Sequence, residues 1–103
     1  MLSLMAVLLD TRYRLIKTVL ISSGTVNESL AHPREIFKPA IAFSAYAFIL
    51  AHQHPSGDPS PSEADRQLTR RVADAARLLQ IHFLDHVICG RPGFFSFKGA
   101  GLL

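Results

Sequence analysis

Two histidines and one carboxylate stand at spacings that can hold a metal ion. His52 and His54 lie two apart at the end of an apolar run. Strand alternation sends side chains i and i+2 to one face, so both imidazoles can converge on a point. Asp65 follows across a stretch rich in Pro, Ser and Gly (53–61), in the first turn of the next helical segment, from where it can swing back. Two imidazole nitrogens and a carboxylate oxygen are a hard-to-borderline donor set suited to zinc. Three protein donors leave one tetrahedral corner open for water, the catalytic pattern, and zinc there polarises a substrate carbonyl. The same residues also admit a structural reading. A His-x-His pair alone is weakly diagnostic, and Ser62-x-x-Asp65 equally fits a capping box, with the Asp complementing the helix dipole.

The elements that must position these groups read as one domain over residues 1–103. The apolar runs 4–10 and 13–22 have strand composition and are expected to form a hairpin. Pro33 sits where proline favours a first helical position, and a helix over 34–43 follows, with Pro39 delaying or kinking it. The nearly continuous apolar run 46–52 predicts a strand buried on both faces. From Ser62 onward, Leu68, Val72, Ala75, Ala76 and Leu79 recur at spacings of three and four, which predicts an amphipathic helix. Strands over 81–89 and 94–97, separated by a Gly-Pro-Gly turn region, close the chain. The order ββαβαββ implies a mixed sheet with flanking helices, an α/β or α+β fold.

Composition excludes several classes. With 103 residues and 49% hydrophobic content the chain is one globular domain rather than a disordered tail. No run approaches the roughly 18–20 apolar residues of a membrane span. Residues 1–9 lack the basic lead and cleavage site of a signal peptide, so they read as a strand. The single cysteine, Cys89, excludes an internal disulfide and suits a reducing cytoplasm; it is expected to behave as a small core residue. Eleven Lys and Arg against eight Asp and Glu give +3, but the cations are scattered, without the dense stripe of a phosphate-tracking surface.

The motifs also carry a resemblance. His52-x-His54-Pro55 followed by Ser62-x-x-Asp65 is similar to the signature of the JAMM (MPN+) metalloprotease family, and the full wording HQHPSGDPSPSEAD resembles its RadC branch. Gly24-Thr25-Val26-Asn27, His32-Pro33-Arg34-Glu35 and Leu84-Asp85-His86-Val87-Ile88 extend the likeness over the whole chain. The resemblance implies a cytidine-deaminase-like, JAB1/MPN-type α/β/α sandwich. It implies one zinc ion per chain on His52, His54 and Asp65, and hydrolysis of a peptide or isopeptide bond. It casts Ser62 as the donor to the developing oxyanion, beside its alternative as a helix cap.

One expected part does not match. Catalytic JAMM proteins carry a glutamate general base at the start of the first core strand, and counting back from 5–10 puts Leu2 at that position. Leucine cannot shuttle a proton. Either the true start lies upstream of this chain, or a short homologue has kept the metal ligands and lost the base. Longer RadC-like proteins also carry an N-terminal helical segment that this sequence does not contain. Glu35 is the nearest substitute base, with Glu28 behind it, although Glu35 also suits a helix start.

Asp85 and His86 alternate faces in a strand, so at most one points at the metal. Asp85 is a candidate to orient a zinc-bound imidazole, or to join a buried hydrogen-bonded pair. His32 and His82 lack partners at ligand spacing and read as loop or surface residues. Phe94, Phe95 and Phe97 read as packing, and Ser56 and Gly57 as loop-shaping. Two other function classes compete with the hydrolase: a non-catalytic MPN scaffold, including a homodimer paired through an edge such as 94–97, and a DNA-repair module with weak DNA association, as the RadC name suggests.

Overall fold

A computed structural model describes residues 3–23 and 32–103. The chain runs β1 (Ser3–Leu9), β2 (Leu15–Ser23), α1 (Pro33–Ala42), β3 (Ala47–Gln53), α2 (Glu63–Leu79), β4 (His82–Cys89) and β5 (Phe94–Ser96). This is the mixed α/β order expected from the sequence, with boundaries shifted by a residue or two. The strands form one sheet in the order β2-β1-β3-β4-β5. β1 and β2 form the expected hairpin, and β3 and β4 are the one parallel pair among the described strands. A parallel pair cannot be joined by a tight turn. Here α2 supplies the crossover, joined to the histidine end of β3 by residues 54–62.

Register decides which residues face the helices. Leu4, Ala6 and Leu8 of β1 pair with His52, Leu50 and Phe48 of β3, and His86 and Ile88 of β4 pair with Leu50 and His52. These positions share one face. Leu4, Ala6, Leu8, Phe48 and Leu50 pack there with Ile36, Phe37 and Ala40 of α1 and Leu68, Val72 and Ala76 of α2. The Phe37 ring meets Phe48 edge-on at 5.4 Å, and Phe48 stacks on Phe83 at 5.0 Å. The aromatic geometry adds about 0.5–1.5 kcal/mol per pair to the area term. Both described helices lie against this face. Met5, Val7, Ile49, Ala51 and Val87 on the opposite face are half-buried, and no described helix forms the second outer layer of an α/β/α sandwich there.

Two packing expectations change. Cys89 is exposed rather than in the core, because alternation along β4 gives the inward place to Ile88. Leu79 is also exposed, and the buried stripe of α2 runs instead through Asp65, Leu68, Thr69, Val72 and Ala76. That stripe is polar at its start because it meets histidines there and apolar side chains further along. Phe97 is buried while Phe94 lies exposed on the edge strand. Among the described residues no helix is long and apolar enough to cross a membrane.

Candidate metal centre

The site forms where β3 ends and α2 begins, at the carboxyl end of a parallel strand, a place where open α/β sheets hold ligands. Ser62 is the N-cap of α2, and its hydroxyl accepts from the Asp65 backbone N–H at 3.1 Å. Asp65 completes the capping box by accepting the Ser62 backbone N–H on Oδ2 at 2.8 Å. The Ser62 hydroxyl also donates to Asp65 Oδ2 at 2.9 Å. The cap therefore fixes the carboxylate, and the two readings of Ser62-x-x-Asp65 coexist in one geometry. Asp65 is buried, its side chain only 1% exposed. Burial raises its pKa, but the His52 ring and the Ser62 N–H and hydroxyl outweigh that and hold it well below the usual carboxylate range.

The loop 53–61 brings the second histidine in. Gly57 adopts φ +84°, a conformation that favours glycine, and its carbonyl accepts the Arg91 N–H at 2.7 Å. This ties the loop to the β4–β5 turn. His54 Nδ1 lies 2.9 Å from the Asp58 carbonyl, and His54 Nε2 lies 2.9 Å from Asp65 Oδ2. Both neighbours are acceptors. A neutral imidazole carries one proton and can satisfy only one of them. With that proton on the carbonyl, a nitrogen lone pair faces a carboxylate oxygen, and a metal ion held by both groups is one way to relieve that contact.

His52 Nδ1 is 2.9 Å from Asp65 Oδ1 and has no hydrogen-bond partner among the described residues. The His52 and His54 rings stand nearly perpendicular, with centroids 5.0 Å apart. A third imidazole joins them from β4. His86 is fully buried, its Nδ1 2.7 Å from Thr69 Oγ1, while its Nε2 has no hydrogen-bond partner. Burial, and then the His52 ring, pull its pKa down to about 4. His52, Asp65 and His86 each bring a donor atom within 4.8 Å of the others. Buried polar atoms are nearly always paired. Two orphaned ring nitrogens at one point, beside a buried carboxylate, therefore fit a metal ion. Nitrogen and carboxylate oxygen donors are those zinc accepts.

The remaining expected residues fall outside this cluster. Glu35 sits half-buried in the first turn of α1 and makes none of these contacts; an acid there complements the helix dipole. Asp85 faces away from His86, and its carboxylate accepts from Ser96 Oγ at 2.6 Å, the Lys98 N–H at 3.0 Å and the His86 backbone N–H at 2.8 Å. It braces β4 against the chain after β5 and orients no imidazole; Thr69 does that for His86. Leu2 and Glu28 lie outside the described residues. The sequence reading named His86 without assigning it to the site. Its signal was alternation: with Ile88 directed inward, His86 follows. Thr69 likewise falls four residues after Asp65, on the same helix face.

The RadC-like JAB domain family matches residues 3–102. The chain is 53% identical over 95 residues to a UPF0758 protein of Pelodictyon phaeoclathratiforme, covering 92% of this chain and 43% of that protein. It is 50% identical over 97 residues to a UPF0758 protein of Symbiobacterium thermophilum, covering 94% and 42%. A UPF0758 protein of Rubrobacter xylanophilus is 53% identical over 97 residues, again covering 94% and 42%. The chain thus spans less than half the length of these curated relatives. With its His-Asp-His cluster at the β3–α2 junction and a match across nearly all its residues, the chain belongs to the RadC-like JAB domain family.

Proposed function

We propose that this chain is a zinc-binding domain of a JAMM-type amide hydrolase, acting on peptide or isopeptide bonds. The observation that carries the reading is His54, whose two ring nitrogens both face acceptors while His52 Nδ1 next to it lacks a hydrogen bond. His52, His54 and Asp65 would hold the ion, one per chain. When bound, zinc supplies Lewis acidity that polarises a carbonyl and acidifies water.

The chain's own residues have defined tasks in this reading. The Asp58 carbonyl orients His54, and the α2 cap keeps Asp65 ionised and fixed. Ser62 is half-buried beside Asp65. By rotating its hydroxyl hydrogen from Asp65 Oδ2 it can donate to a developing oxyanion while still accepting the Asp65 N–H. Among the described residues, Asp65 is the one carboxylate that contacts a site imidazole, and Glu35 makes no contact with the cluster. That observation favours a second reading, in which the chain alone is a metal-binding MPN scaffold.

Hydrolysis by the zinc-loaded chain separates the two. The experiment compares the chain, Leu2→Glu and Leu2→Glu with His54→Ala on a library of fluorogenic peptide and isopeptide substrates. The hydrolase reading expects weak turnover by the chain and a rise of about 10²–10⁴-fold with Leu2→Glu, the range of general-base catalysis. His54→Ala abolishes it. Zinc retention with no turnover in either Glu-bearing or parent chain supports the scaffold.

A further inference from the structure

His86 has a hydrogen-bond arrangement that fixes where its proton lies. Thr69 Oγ1 is 2.8 Å from the Asp65 carbonyl oxygen and 2.7 Å from His86 Nδ1. The hydroxyl has one hydrogen, and a carbonyl oxygen can only accept. That hydrogen belongs to the Asp65 carbonyl, so His86 Nδ1 must be the donor to Thr69. A neutral His86 then carries its proton on Nδ1 and a lone pair on Nε2.

Among the described residues, nothing pairs with that lone pair. His86 is fully buried, and its Nε2 has no hydrogen-bond partner. The ring is held in place, stacked on Phe97 at 4.8 Å and facing His52 at 6.0 Å. A histidine kept only for packing would leave no unpaired nitrogen in a dry interior, where an unmade hydrogen bond is costly. A second ring nitrogen bound to a hydroxyl or carbonyl is the usual companion of a metal-ligating imidazole.

We infer that His86, set in its ligand-ready tautomer by Thr69, is a further protein donor to the metal site. The inference rests on the metal centre proposed above and adds to it. His52, Asp65 and His86 bring donor atoms within 4.8 Å of one another, and His54 reaches the same carboxylate at 2.9 Å, so His86 adds an imidazole to the donor set. Thr69 is a positioning residue, acting through the ring it orients.

X-ray absorption on the zinc-loaded chain counts the imidazoles. Three are expected in the parent, two in His86→Ala, with zinc affinity falling about tenfold or more in that variant. Bound zinc with only two imidazoles in the parent overturns this inference and leaves the proposed metal centre standing; no bound zinc overturns both. Because His86→Ala empties a buried position, nitrogen NMR of the metal-free parent gives a second reading. Its His86 ring is expected as the Nδ1–H tautomer, with the balance moving toward Nε2–H in Thr69→Val. An Nε2–H tautomer in the parent overturns the role given to Thr69.

Discussion

His54 Nε2 and Asp65 Oδ2 lie 2.9 Å apart although eleven residues separate them in sequence, one at the end of a strand and the other in the first turn of a helix. Neither position is accidental. The Asp58 carbonyl holds the far side of the His54 ring, and the α2 capping box holds Asp65. The contact is the point at which loop, helix cap and strand end are all committed at once. A neutral His54 ring is one donor short there, and a bound metal ion would relieve that.

If the proposed metal centre is loaded, metal removal is expected to destabilise the fold. At a free zinc concentration 100 times the dissociation constant, binding adds about 2.7 kcal/mol. For a domain of this size, stripping the ion lowers Tm by roughly 10–20 °C. Calorimetry before and after chelation, with zinc added back, checks this; a Tm that does not move argues against a metal bound by the folded state.

Loss of the cap is a separate effect. Ser62→Ala removes the acceptor for the Asp65 N–H and a donor to Asp65 Oδ2. It is expected to cost about 1 kcal/mol, the usual value of an N-cap, and roughly 4–8 °C in Tm. Ser62→Thr preserves most of the stability. If Ser62→Ala unfolds like the parent in denaturant titration, the capping box does not anchor this helix.

Much of this arrangement was legible from residue types. The His-x-His pair at a strand end, the Ser-x-x-Asp helix start and the ββαβαββ order all follow from local periodicity and turn chemistry. His86 and Thr69 were not, because their role depends on the parallel register that sets β4 beside β3 and on α2 crossing over both. For Asp85, strand alternation leaves both an orienting role and a hydrogen-bonded pairing open; its partners Ser96 and Lys98 come from a turn that local pattern does not place. Cys89 illustrates the same limit: an apolar residue type suggested burial, but strand parity put it outside.

The approach of two loops makes Gly90 intolerant of a side chain. A Cβ there would stand 2.4 Å from the Gly57 carbonyl oxygen and 2.8 Å from Pro59 Cδ. The nearest obstacle is backbone, so relief requires moving the loop that carries Asp58, the partner of His54. Gly90→Ala is expected to destabilise by about 1–3 kcal/mol, as overpacking does, and to weaken zinc binding as well. Gly93→Ala is the control, since a Cβ there meets nothing within 4 Å. Equal zinc affinity and stability in both variants would show that the loop does not depend on this approach.

Acid weakens the metal-free protein in a defined window. Burial lowers the His86 pKa from an ordinary 6.5 to about 4. As pH falls below 6.5, the unfolded chain takes a proton that the folded one refuses, so stability drops until about pH 4 and this group contributes no further loss below that. The total is on the order of 3 kcal/mol. Asp65 acts lower: its carboxyl is depressed below 3.8, so its contribution is present above that value and is lost as pH falls through the folded pKa. Denaturant titrations between about pH 7 and about pH 4 read the first window. His86→Phe should flatten it; an unchanged slope would assign the acid sensitivity elsewhere.

The most direct test is a calorimetric titration of zinc into the metal-free chain, run beside His52→Ala with His54→Ala. The account predicts saturation at one ion per chain in the parent and no specific binding in the double variant. Equal binding by both proteins, or none by either, would contradict a metal centre built on these histidines.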